Sequence, residues 1–287
     1  MKVTFIGLGI MGSRMAKNLL AGDTDLTVYN RSPEPVKSLV EAGAKTANSI
    51  GEAVKDADIV LSMLSTPEVV YDLFIGEENA LQHMKKGAIW VDCSTVNPSF
   101  SQSMNIQAET KGIRFIDAPV AGTKPHAENV ELTFFAGGND SDLQTVKPLL
   151  EMMGQKVIHL GKAGMGSSFK MLVNMMLAQS MVVFSEAILL GEKMGLDKTF
   201  LLHTVPNLVV SAPFTKSKAE MIADENYEVQ FPLEWMHKDL HLAAQTAYEH
   251  GQPLLLANVT KEIYAQAVNK GYSRLDFAAV HKLLESK

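Results

Sequence analysis

A single cysteine stands in 287 residues, so no internal disulfide can form and no cysteine-based metal site can be assembled. It lies in the apolar run Ala88-Ile89-Trp90-Val91-Asp92-Cys93 and reads as buried packing in a reducing compartment. The chain has no Lys/Arg-rich run and a formal charge of −6, so it lacks the basic excess that binding a phosphate backbone needs, and nucleic acid is not an expected partner. No stretch reaches the roughly 18 uninterrupted apolar residues of a membrane span. The nearest approach, Met171 to Leu190, is broken by Asn174, Gln179 and Glu186, so no membrane association is expected. The opening residues, Met1 to Gly7, are apolar in the manner of a short export signal, but Ser13, Arg14 and Lys17 follow within about two helical turns and the segment reads as part of the fold. His237 and His241 have the i, i+4 spacing of a ligand pair without a third ligand at a recognisable spacing, so no metal is expected. These absences point to a soluble, cytoplasmic protein.

What is present is an ordinary globular composition, 46% hydrophobic and 20% charged, in a chain long enough for two packed cores. The first half alternates short β-branched runs with helical patterns, the sign of parallel strands joined by crossover helices. Strands are expected at Val3-Ile6, Leu26-Tyr29, Ile59-Met63, Ile89-Cys93, Arg114-Ile116, Leu132-Ala136 and Val157-Leu160. Gly161, Gly164 and Gly166 then punctuate the chain and the strand signal stops. From Ser167 to about Met194 the pattern is helical, long enough for one helix to bridge two domains, and the remainder is rich in Leu, Ala, Lys and Glu. The predicted architecture is α/β: a Rossmann-like doubly wound sheet over residues 1–163, then an all-helical domain over residues 164–287, joined by the long helix.

Gly7-Leu8-Gly9-Ile10-Met11-Gly12 follows the first predicted strand and opens a helix. In that context the first glycine permits a tight turn, the second lets backbone approach a pyrophosphate, and the third allows close packing of helix on strand, while the helix N-terminus supplies N–H donors and a positive dipole. NAD-selective sites place an acidic residue at the end of the second strand; here the chain reads Asn30-Arg31-Ser32. With no carboxylate to repel a 2′-phosphate and a guanidinium able to bind one, NADP(H) is expected over NAD. Asp117-Ala118-Pro119-Val120-Ala121-Gly122-Thr123 ends a strand in a turn whose N–H groups suit a carboxylate, although by itself this pattern fits any turn. Lys170 and Asn174 lie four apart and share a helix face, a spacing that alone is equally that of two surface residues.

Taken together these segments resemble the β-hydroxyacid dehydrogenase family, which includes hydroxyisobutyrate dehydrogenases, tartronate semialdehyde reductases and glyoxylate or succinic semialdehyde reductases. The resemblance is carried by the glycine loop with Met15-Ala16-Lys17-Asn18-Leu19, by Asp117-Ala118-Pro119-Val120, by Gly161-Lys162-Ala163-Gly164-Met165-Gly166 leading to Lys170-Met171-Leu172-Val173-Asn174, and by Lys238-Asp239-Leu240. It implies that Lys170 is the catalytic acid/base, that Asn174 positions substrate, and that Ala121, Gly122 and Thr123 bind the carboxylate of a small aldehyde or hydroxy acid. It also implies that Thr95 lies near the nicotinamide, that Met63 and Leu64 border the cofactor, and that Lys238 closes over it. Two positions depart from the family pattern: Ala121 stands where serine is usual, and Asn129-Val130 where a glycine is usual. Gly122-Thr123-Lys124-Pro125 looks more like the glyoxylate and succinic semialdehyde reductase branch than the hydroxyisobutyrate branch. The alternatives are an NADPH-dependent imine reductase, whose members typically lack a lysine at position 170, and a non-catalytic cofactor-binding protein, which would tolerate its loss. The Met-rich helix, with Met171, Met175, Met176 and Met181, reads as packing, in part between subunits of a homodimer or homotetramer.

Overall fold

The computed structural model describes residues 1–285; residues 286–287, the last two of the expected helical domain, lie outside the described residues. The chain divides into two compact units, Met1–Lys170 and Met171–Lys287.

The first unit is built on nine strands: β1 (Lys2–Ile6), β2 (Asp25–Tyr29), β3 (Lys45–Thr46), β4 (Ile59–Ser62), β5 (Ile89–Asp92), β6 (Arg114–Asp117), β7 (Val120–Ala121), β8 (Leu132–Gly138) and β9 (Gly154–His159). Their order is β3-β2-β1-β4-β5-β6-β8-β7, with β9 beside β8. Strands β3 to β6 along that path pair in parallel. Helices α1 (Gly12–Ala21), α2 (Glu34–Glu41), α3 (Ile50–Val54), α4 (Pro67–Phe74), α5 (Ala80–His83), α6 (Pro98–Thr110), α7 (Lys124–Glu128) and α8 (Asp140–Glu151) fill the connections. The period of two explains why both faces are covered. Val3 and Phe5 of β1, Ile59 and Leu61 of β4 and Ile89 and Val91 of β5 point into one apolar core, while Ile6, Val60 and Trp90 point into another on the opposite face. Trp90 is wholly buried there, stacked on Phe74 at 3.8 Å between ring centroids and edge-on to Phe115.

The sheet is not parallel throughout, as the strand and helix alternation had suggested. β8 runs antiparallel to both β6 and β7, because β6 turns back through β7 and α7 without a crossover long enough to restore direction. The loops that leave the carboxyl ends of β1 and β4, where the strand order reverses, form the crevice in which doubly wound sheets bind ligands.

Helix α9 (Met165–Lys193) crosses from one unit into the other, and Lys170 is the last residue of the first. By length and composition alone it is apolar enough to cross a membrane, yet Ala178, Met181, Val182, Phe184 and Ile188 pack into the core of the second unit. Met171 and Met181 are buried as packing residues, whereas Met176 is 65% exposed. The second unit continues with α10 (Lys198–Thr204), α11 (Thr215–Ala223), α12 (Leu233–Glu249), α13 (Leu255–Ala267) and α14 (Val280–Glu285). Within its core Lys218 pairs with Asp276 at 2.9 Å, both fully buried.

His281 of α14 is also buried, and among the described residues neither ring nitrogen has a hydrogen-bond partner. Burial pushes its imidazole down to about 4. The folded state therefore holds fewer protons than the unfolded chain between that value and the ordinary 6.5. Stability conferred by the neutral ring is complete above the upper limit and is lost as pH falls through the window, by about 3 kcal/mol at completion. The test compares urea midpoints of the wild type and His281→Leu from neutral pH down to about 4.5, since the difference cancels groups common to both. The wild type is expected to lose ground progressively on acidification; a pH-independent difference would remove His281 from this role.

Candidate cofactor and catalytic site

The glycine loop is shaped by what its neighbours leave room for. Gly7 has φ +92°, and a Cβ there would sit 2.4 Å from the Met63 carbonyl oxygen. A Cβ on Gly12 would sit 1.9 Å from the Gly7 oxygen, so α1 reaches the β1 turn only because both positions are bare. Gly9 has no atom within 4 Å of its would-be Cβ and faces open space. Helix α1 begins with no side-chain cap and no acidic residue in its first turn, which leaves its positive end open to an anion. This cradle fits a dinucleotide pyrophosphate.

Asn30 has a role that its position beside Arg31 did not announce. Its Oδ1 accepts the Leu8 N–H at 2.9 Å and its Nδ2 donates to the Ser32 carbonyl at 2.8 Å, tying the loop to the end of β2. The Leu8 amide is thereby engaged within the protein. Arg31 is exposed and lines, with Val36, Thr46 and Asn48, a cavity of about 470 Å³. Ile10 and Met11, between the second and third glycines, are half-buried.

Met63 and Leu64 leave the carboxyl end of β4, and Thr95 follows the end of β5. A buried hydrogen-bond network fixes both ends. Ser62 Oγ donates to Asp92 Oδ1 at 2.8 Å and accepts from Trp90 Nε1 at 2.8 Å; Ser94 Oγ donates to the same carboxylate at 2.6 Å and accepts the Leu64 N–H at 2.9 Å. The three bonds to Asp92 and Ser62 are buried, where leaving a donor unmatched costs about 1–3 kcal/mol, so the ends of β4 and β5 that carry Leu64 and lead to Thr95 are tightly set.

The turn at 121–123 begins at the end of the short strand β7, with Ala121 paired to Thr133. Gly122 has φ +119°, and a Cβ there would meet Leu132 and His126 at under 3 Å. The Thr123 N–H donates to His126 Nδ1 at 3.2 Å, so one of the three amides assigned to substrate is partnered inside the protein. Val130 has φ +60°, a left-handed conformation that a β-branched residue adopts only under strain. The family resemblance puts a glycine at Asn129-Val130, and Val130 holds the kind of backbone conformation a glycine adopts without strain.

Lys170 lies in the second turn of α9 and is only 7% exposed, unlike an ordinary helix-surface lysine. In the second unit Asn174 is buried; its Nδ2 donates to Asp239 Oδ2 at 2.5 Å, while its Oδ1 has no partner among the described residues. Lys238 Nζ stands 2.9 Å from Asp239 Oδ1, so its charge is balanced by its own neighbour in sequence. Asp239 is the residue that sequence reasoning passed over: it belonged to a quoted motif, but its bond to Asn174 spans 65 positions and no local pattern signals it. Asp117, read as a strand-end carboxylate, is buried at the end of β6 and accepts N–H bonds from Gly164 and Ser167. Burial outweighs those bonds and raises its carboxyl to about 6. His237 and His241 are not part of any metal cluster among the described residues.

A doubly wound sheet with an open glycine cradle at its strand-order reversal, followed by a helical unit, defines a nicotinamide-dinucleotide-binding oxidoreductase. Residues 2–161 match the model of the NAD binding domain of 6-phosphogluconate dehydrogenase, and residues 164–284 that of the NAD-binding domain of NADP-dependent 3-hydroxyisobutyrate dehydrogenase. The chain is 35% identical over 284 residues to glyoxylate/succinic semialdehyde reductase 2 of Arabidopsis thaliana, covering 99% of this chain and 79% of that protein. It is 33% identical to the NAD-dependent L-serine dehydrogenase of Pseudomonas aeruginosa, covering 99% and 98%. The structure of 3-hydroxyisobutyrate dehydrogenase from Mycobacterium tuberculosis with L-serine superposes with a TM-score of 0.90 at 29% identity, covering 99% of each chain. The chain belongs to the β-hydroxyacid dehydrogenase family.

Proposed function

We propose that the protein reduces a small carboxylate-bearing aldehyde with NADPH, or oxidises the matching hydroxy acid with NADP, using Lys170 as the general acid/base. The observation that carries this reading is a lysine buried in the second turn of the helix that directly follows the dinucleotide-binding strands. When bound, NADP(H) supplies or takes up the hydride. Lys170 donates a proton to the substrate oxygen as it becomes an alkoxide, and removes it in the reverse direction. Asn174, its amide fixed by Asp239, orients the same oxygen: the second N–H of Nδ2 donates to it as carbonyl or alkoxide, and Oδ1 accepts its O–H in the hydroxy acid. The turn at Ala121, Gly122 and Thr123 receives the carboxylate, with Ala121 contributing no hydroxyl and the Thr123 N–H already donated to His126. Gly7 to Gly12 hold the pyrophosphate, and Met63, Leu64 and Thr95 border the nicotinamide.

Arg31 supports NADP(H) over NAD: it is an exposed guanidinium on the wall of an open cavity, with no carboxylate at the end of β2 to oppose a 2′-phosphate. A charge-assisted contact of this kind corresponds to a preference of about 10- to 100-fold in kcat/KM. The experiment is a panel of glyoxylate, succinic semialdehyde, tartronate semialdehyde and 3-hydroxyisobutyrate, each assayed with both cofactors. Glyoxylate or succinic semialdehyde with NADPH is the expected best pair. Equal or better turnover with NADH would sink the cofactor assignment, and no turnover of any member would sink the substrate class.

A further inference from the structure

We infer that Asp117 is the positioning residue for Lys170, its carboxylate fastening the first turn of α9 to the end of β6. This rests on the reading of Lys170 as the acid/base. An α-helix leaves its first N–H groups without internal partners, and a nearby side chain in the sequence ordinarily caps them. Here the cap comes from a strand about 50 residues upstream. Asp117 Oδ1 accepts the N–H of Gly164 and Oδ2 that of Ser167, both at 2.7 Å and both buried. A bidentate, charged acceptor at the positive end of a helix fixes its rotation as well as its height.

The surroundings are moulded to that carboxylate. A Cβ on Gly137 would lie 2.5 Å from Oδ1, and one on Gly166 would lie 2.9 Å from Oδ2 and 2.1 Å from the Phe135 carbonyl. Ser101 and Ser167 share a buried hydroxyl contact at 2.8 Å that fastens the same turn to α6. Lys170 follows Ser167 by three residues, one turn further along the same side of the helix. From Asp117 the chain also runs, within a few residues, into the turn at Ala121 to Thr123. One carboxylate thus sets both the helix that carries the acid/base and the strand end that leads to the carboxylate-binding turn.

The test is Asp117→Asn, which keeps one acceptor oxygen but turns an N–H₂ group toward an N–H donor. A shift of about 1 Å in a catalytic group costs on the order of 10²-fold, so kcat is expected to fall about 10- to 100-fold with KM for NADPH within about twofold of wild type. In the double variant with Lys170→Ala, loss should not exceed that of Lys170→Ala alone, because Asp117 acts through the lysine. Additive losses, or a wild-type kcat in the single variant, would overturn the inference. Should Lys170→Ala itself turn over normally, the acid/base reading fails instead. Amide exchange in the wild-type protein gives a readout independent of turnover: Gly164 and Ser167 should be strongly protected, and open-chain exchange rates at both would overturn the anchoring even if Asp117→Asn does not fold.

Discussion

Replacing Lys170 by alanine is expected to lower kcat by about 10²- to 10⁴-fold while NADPH still binds with near-wild-type affinity. Carbonyl reduction places negative charge on an oxygen, and without a positioned proton donor that charge must be met by whatever water reaches it. The side chain is 7% exposed, so its removal also leaves a cavity, and the melting curve must be followed alongside turnover. Retained cofactor binding with lost turnover separates the chemical step from collapse of the fold. Turnover within a few-fold of wild type would exclude Lys170 as the acid/base.

The second large effect is expected at Gly12. A Cβ there would approach the Gly7 carbonyl oxygen to 1.9 Å and the Phe5 ring to 3.1 Å, so Gly12→Ala must push α1 away from the β1 turn. Overpacking against fixed backbone costs about 3 kcal/mol, well beyond the roughly 1 kcal/mol that alanine gains over glycine in a helix interior. The urea midpoint of the first unit should drop, and NADPH binding should weaken with it. Gly9→Ala is the matched control, because nothing lies within 4 Å of its would-be Cβ. It should leave the urea midpoint almost unchanged and still weaken NADPH, since the methyl group projects into space reserved for phosphate. Equal urea midpoints for the two variants would show that α1 does not dock as closely as described.

Much of this arrangement was readable from local pattern. β1, β4, β5 and β6 announce themselves because strands buried on both faces are continuous apolar runs, β2 by its alternating burial, and Gly7 and Gly12 are legible because each answers a local steric demand. β3 and β7, two residues each, carry no periodicity to detect. The antiparallel pairing of β8 with β6 joins Ile116 to Gly138, and a pairing direction of that kind is a tertiary choice that composition does not encode. The first compact unit runs through Lys170, and the first turn of α9 bonds back to Asp117 within it. The same distance effect hid the partners of the site. Asn174 and Lys170 stood out by motif, but the carboxylates that hold Asn174 and the helix start lie 65 and about 50 residues away.

The strained backbone at Val130 shows the reverse case, in which a departure noted in the sequence acquires a physical meaning. A valine in a glycine conformation costs roughly 1–2 kcal/mol, and the hydrogen bond from Glu131 N–H to the His126 carbonyl at 2.8 Å helps hold the loop that carries it.

Trp90, wedged between Phe74 and Phe115 with its indole nitrogen bound to Ser62, is one of two tryptophans; the other, Trp235, opens α12 in the second unit. Each compact unit therefore contains its own intrinsic fluorophore. Exchanging either for phenylalanine leaves a single tryptophan, excitable apart from the six tyrosines, and the order in which the two halves of the molecule melt becomes an optical measurement that needs no added label.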